Sequence, residues 1–190
     1  MNSQRLTGIL LILGAISFLV AAFMPLSMAV YAEPSPEKRL ENIEAAGIVW
    51  HIQHILFATG ILVTIAGVVL VAAYFQRQSP SIWLLPAVLA FVASALPAIA
   101  WLYLRAVDPQ GWTAGQQPTW TFLSYTFLTQ VGLLLLGFAW LKGTLPRWPG
   151  WLMAGGAALL FILTVITGDM PPFVYYLPTL IAGVIFYRRG

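Results

Sequence analysis

The segment GIVWHIQHILFATG, residues 47–60, sets His51 and His54 three positions apart, with Gln53 between them, in an otherwise apolar run. Residues at that spacing project from nearly the same face of a helix. Imidazole titrates near neutral pH and is the commonest protein ligand for a metal, so the pair invites several chemistries. The first is a zinc or copper site, which needs further ligands; Glu44, Asp108 or Asp169 could supply a carboxylate from the same side. The second is haem. Axial ligands approach the iron from opposite faces, so His51 and His54 cannot both serve one haem, and Met24, Met28 or Met170 would have to complete the pair. The third is a proton-linked or substrate-contacting role. Against all three stands the plainer expectation that the rings hydrogen-bond to neighbouring helices at the end of an apolar span. No spacing signature joins the histidines to the carboxylates, so no resident cofactor is expected.

A second polar stretch, TWTFLSYTFLTQ at residues 119–130, carries Thr119, Thr121, Ser124, Tyr125, Thr126, Thr129 and Gln130. Such hydroxyls can bond their own backbone or join helices. At the same depth as His51, Gln53 and His54, they can also line a polar vestibule open to the outside. The following VGLLLLGFAWL is apolar and would close it. The candidate ligand-binding set is therefore His51, Gln53, His54, Ser124, Tyr125, Thr129 and Asp169. Asp169 in TGDMPPF, and Arg105 with Asp108 in LRAVDPQG, read first as turns and interfacial anchors. Asp169 pairing with Arg105 or a histidine is the functional alternative. A phosphate-cradling glycine loop, a serine-nucleophile motif, HExxH and cysteine are all missing, so catalysis is not expected.

The elements that position these groups follow from composition. Of 190 residues, 60% are hydrophobic and 8% charged, against roughly a quarter charged in a soluble domain. The charges are clumped, and the gaps between clumps fit spans of about 20 apolar residues, the length that crosses a bilayer. Backbone groups at that depth can be satisfied only within helices. The expected fold is all-α: one polytopic helical bundle over 1–190 with six spans at about 6–26, 48–75, 82–104, 119–141, 151–168 and 173–187. Pro86, Pro97 and Pro178 predict kinks. The first span imitates a secretory signal, but its apolar region is too long for one, so it is expected to remain as a membrane helix.

Six spans put Arg5, Arg77, Lys142, Arg147, Arg188 and Arg189 on one side. The other side takes Lys38, Arg39, Arg105 and every acid, namely Glu33, Glu37, Glu41, Glu44, Asp108 and Asp169. The lysine and arginine bias predicts both termini in the cytoplasm, with the chain in the inner membrane. Aromatic residues at the span ends, Trp50, Trp101, Trp112, Tyr175 and Tyr176 among them, read as interfacial belts. The net charge of +3 then faces anionic lipid, and no nucleic acid is called for. YAEPSPEKRLENIEAAG reads as a short amphipathic surface helix at about 35–46, capped by Ser35, opened by Pro36 and ended by Gly47. A shift of 70 residues aligns Trp50 with Trp120, Phe57 with Phe127 and Gly67 with Gly137, which a duplicated hairpin would produce. The glycines of GLLLLG and AGGAALL are expected at close helix contacts.

Two functions are expected to compete. One is binding or transport of a small molecule or ion, as a homo-oligomer. The other is a non-catalytic subunit of a larger membrane complex. A histidine-ligated metal or haem redox protein is third.

Overall fold

The structure, a computed structural model, describes residues 2–168 and 171–190. The described residues form nine α-helices and one 3-10 turn, with no strand: α1 (Ser3–Phe23), α2 (Pro25–Tyr31), α3 (Pro36–Ala46), α4 (Ile48–Gln78), α5 (Leu84–Val107), α6 (Pro109–Thr113), α7 (Thr119–Leu141), α8 (Trp148–Thr167), the 3-10 turn Pro172–Tyr175, and α9 (Tyr176–Arg189). Five of these, α1, α4, α5, α7 and α8, are long and apolar enough to cross a membrane. Their ends fall within a few residues of the expected boundaries.

Local chemistry explains the breaks. Asn2 caps α1 by accepting from the Gln4 N–H. Pro25 pushes Met24 to ψ 144°, because a residue before proline is disfavoured in the helical region, and the chain leaves α1 to begin α2. Ser35 accepts from the Lys38 N–H and donates to Glu37, a hydroxyl contact that holds the Glu37 carboxyl below its usual range. Gly47, at φ 52° and ψ −121°, makes the corner from α3 into α4 in a conformation that glycine alone adopts readily. Pro86 and Pro178 stand in the first turns of α5 and α9, where a missing N–H costs nothing, and Pro97 is interior to its helix.

The long helices form a ring in which each packs on the next. α1 packs on α4, α4 on α5, α5 on α7 and α7 on α8; α9 returns against α1, with lighter contact to α8. α9 runs antiparallel to α1, from the Phe23–Phe173 ring contact at one end to the Arg5–Tyr187 hydrogen bond at the other. The end carrying both termini is filled by Phe75, Trp140 and Phe186, whose rings meet edge to face. At the opposite end α2, α3 and α6 lie over the bundle, with Val30, Ile43 and Trp50 forming a small buried cluster of their own.

Outward faces stay apolar. Leu13, Val20, Leu85, Leu96, Ile162 and Ile166 are all more than half exposed or nearly so, Leu96 reaching 79%. Apolar exposure continuous over several helices suits hydrocarbon and would be a liability in water.

The ring closes at α1–α4 through glycine. A methyl added at Gly14 would meet the Thr64 backbone nitrogen at 2.7 Å, and one at Gly60 the Phe18 nitrogen at 2.8 Å, so the two backbones touch directly, as small residues permit in membrane bundles. Gly155 and Gly156 correct the expectation for AGGAALL, since both face open space. The positions aligned by the 70-residue shift pack differently. Gly67 meets Leu11 of α1, whereas its aligned Gly137 meets Ala154 of α8. Trp50 is buried while Trp120 is 59% exposed.

Gly60→Leu should therefore lower the unfolding midpoint in detergent by the equivalent of about 1–3 kcal/mol, the usual cost of overpacking. Gly155→Ala should hold or raise it by up to about 1 kcal/mol, the propensity difference. Equal losses in the two variants would refute the contact.

Candidate functional site: a capped aromatic chamber and a hydroxyl core

The candidate residues divide between two places. At the capped end, Trp50 and His54 lie in the first two turns of α4, within about 10 Å of its start at 1.5 Å per residue. The His54 Nδ1 is 2.8 Å from the Trp50 carbonyl oxygen. A carbonyl only accepts, so in the neutral ring the proton sits on Nδ1 and Nε2 presents a lone pair. That Nε2 is buried without a hydrogen-bond partner among the described residues. The imidazole leans on the Trp50 indole, ring centres 4.1 Å apart.

Beside it is a charge that sequence reading placed at the membrane surface. Arg105 is only 3% exposed. Its guanidinium lies 4.1 Å from the Trp112 ring centre, 4.6 Å from Trp101, 4.7 Å from Tyr31 and 6.0 Å from Trp50, all within cation–π range. Each ring comes from a different element: α6, α5, α2 and α4. Trp50 ties the box together by donating its Nε1–H to the Arg105 carbonyl at 3.3 Å and by stacking on Trp112. Above it, Arg39 of α3 approaches Trp112 at 5.5 Å. The α3 helix thus lies over this box of aromatic rings, termed the chamber, whose centre is filled by the Arg105 guanidinium.

Trp101 also reaches the second place, its ring 6.1 Å from that of Tyr125. Here, midway along the bundle, Thr64, Ser94, Tyr125, Thr129, Tyr175 and Tyr176 surround a cavity of about 10 Å³, room for roughly one water. The Tyr125 and Tyr176 hydroxyls bond at 3.0 Å. Gln130 donates to Thr164 at 2.7 Å and to Tyr175 at 2.7 Å. The Thr64 and Thr129 hydroxyls lack a partner among the described residues.

The remaining candidates behave differently. Gln53 is buried and donates to the Ala21 carbonyl at 2.8 Å and to the Ser27 hydroxyl, tying α4 to the corner between α1 and α2. His51 is exposed, Ser124 half-buried, and Glu44 exposed near the end of α3. Asp169, with Met170, lies outside the described residues. For a metal, no group of three or more His, Cys, Asp or Glu side chains is close enough to hold one ion among the described residues. The histidine pair divides between two environments, His54 being buried while His51 and Glu44 are exposed.

Sequence reading took Arg105 as an interfacial anchor and assigned Trp50, Tyr175 and Tyr176 to belts, yet all four are buried. Trp120 and Tyr103, exposed at 59% and 63%, do fit a belt. The available signal was Trp101 and Arg105, four residues apart on one helical face.

Comparison with family models, with curated proteins and with solved structures returns no match.

The polar core predicts a graded effect. Gln130→Leu should destabilise the protein by about 1–2 kcal/mol, since it removes two hydrogen bonds of the kind that average about 0.6 kcal/mol each between membrane helices. Arg105→Ala should cost more, about 2–5 kcal/mol, because it leaves a cavity among the four rings as well as removing their cation. Reversible unfolding in mixed detergent measures both, and a larger loss for Gln130→Leu than for Arg105→Ala would reverse the ranking.

Proposed function

We propose that the chain is an inner-membrane protein of six spans, with both termini cytoplasmic, that binds a small polar molecule in the chamber at its outer end. Five spans are the long helices. For the sixth, the 3-10 turn of 4 residues and α9 of 14 reach about 29 Å together, at about 2.0 and 1.5 Å per residue, close to the hydrocarbon thickness. Their antiparallel course along α1 supports that reading. The side is argued from charge. The terminal end collects six of the nine Lys and Arg side chains, and positive loops stay inside.

The observation that carries the binding reading is the buried His54 Nε2, a bare acceptor beside the aromatic box of Arg105 and beneath the α3 cover. A buried ionisable group at a membrane-helix end is expensive to maintain and is a functional-site hypothesis by default. The ligand would be small and would carry an N–H or O–H donor for Nε2, with a planar or polar surface suited to the surrounding rings. Phe75, Trp140 and Phe186 fill the inner half, which favours binding over conduction.

One observation favours a second reading, an assembly subunit. Gln53, Gln130 and Tyr125 all end in bonds between helices, and the central cavity is water-sized, so much of the polar content serves packing. Membrane neighbours, including further copies of the chain, would then lie on faces such as that of Leu85, Leu89 and Leu96, all exposed.

A reporter fused after Gly190 should be active in the cytoplasm, and activity in the periplasm would invert the orientation. For the chamber, a panel of small alcohols, amides and amines should raise the unfolding temperature and perturb the fluorescence of purified wild type. His54→Ala should lose that response with at most a modest fall in stability. If the panel leaves wild type unaffected while His54→Ala disrupts complexes isolated in mild detergent, the assembly reading replaces the binding one.

A further inference from the structure

At the terminal end, the first turn of α1 and the last turns of α4 part below their glycine contact and leave a cleft of about 400 Å³, within the roughly 300–1,000 Å³ usual for small-molecule sites. Its rim is polar: Ser3 and Gln4 from α1, Arg77 and Gln78 from α4. Leu70 and Ala73 of α4 supply its apolar lining, and Asn2, Thr7 and Tyr74 complete it. Arg77 is the one ionised side chain in that lining, and no acid shares it. Among the described residues Arg77 has no ion-pair partner, and it is exposed. Its charged neighbours in the sequence map of this end, Arg5, Lys142, Arg147, Arg188 and Arg189, are also cations. Arg5 is turned away, onto Tyr187, at 3.3 Å from its hydroxyl.

We infer that this cleft holds the headgroup of an anionic phospholipid. A guanidinium flanked by amide and hydroxyl donors matches the oxygens of a phosphodiester. On the same stripe of α4 as Ala73 and Arg77, exposed Val69 and Leu62 continue an apolar surface away from the cleft, which acyl chains would cover and a free phosphate ion would not. Basic pockets between membrane helices at the cytoplasmic face bind anionic headgroups for this reason. The site is separate from the chamber and rests only on the membrane reading, not on its ligand.

The purified full chain is reconstituted in vesicles of phosphatidylcholine alone, or with phosphatidylglycerol, and then extracted for native mass spectrometry. Wild type should retain about one phosphatidylglycerol per chain in preference to phosphatidylcholine, and Arg77→Gln should weaken that retention about fivefold. Arg147→Gln, outside the cleft, should keep it. Equal retention by Arg77→Gln and wild type overturns the proposal. So does an equal thermal stabilisation by inorganic phosphate, which would make the cleft a free-anion site. Flotation with phosphatidylcholine vesicles reports insertion independently of Arg77, so a failure of the membrane reading shows as loss of flotation in every variant.

Discussion

A polar atom buried among apolar helices has only other parts of the chain to bond, and this constraint governs where the buried polar side chains of the interior reach. Away from water, an unsatisfied amide or hydroxyl costs several kcal/mol. The buried side chains answer it in different ways. Thr7, Thr121 and Thr164 turn their hydroxyls back onto carbonyls of their own helices or caps. Gln53 and Gln130 donate across to other elements, while their amide oxygens have no partner among the described residues. Thr64 and Thr129 face a space of one water, which can bridge them.

The magnitudes decide what such bonds are for. A hydrogen bond between membrane helices stabilises by well under 2 kcal/mol, so Gln130 and the tyrosine pair fix which helices face one another more than they hold the bundle together. Close packing has the larger role. With lipid as apolar as the helix surfaces, association depends on fit, and the direct backbone contact at Gly14 and Gly60 gives α1 and α4 their register. The ring of helices around the tyrosines follows from that pair, since α9 lies on the other side of α1 and α5 on the other side of α4.

The class of fold was legible because charge spacing is a strong signal: Glu44 to Arg77 and Asp108 to Lys142 leave little except long apolar helices between them. Ser35, Pro36 and Gly47 marked α3 for equally local reasons. The last helix was harder to read, because part of its length is a 3-10 turn set off by Pro171 and Pro172. The site was legible in part. His54, Tyr125 and Thr129 are buried as a lining would require, but His51 is not. A one-dimensional reading that puts aromatics at span ends cannot distinguish a belt facing headgroups from a box facing inward. That distinction depends on α2 and α6, short helices whose own sequences gave no sign that they fold back over α4 and α5.

Why an arginine occupies the box follows from the same energetics. Desolvating a cation costs several kcal/mol. Each aromatic face returns roughly 0.5–2 kcal/mol, with the upper values where water is excluded, so four faces reach the same order as the cost. A lysine ammonium would lose more on leaving water, being compact and strongly hydrated. The planar guanidinium is weakly hydrated and stacks on ring faces while keeping its donors in the plane. The rings that stabilise Arg105 come from four separate elements, so the charge can be accommodated only once α2, α4, α5 and α6 have all assembled. Its burial thereby links closure of the cap to packing of the bundle. His54, braced on Trp50, inherits its orientation from that assembly, and a bare Nε2 is held in place by residues that do not themselves touch it.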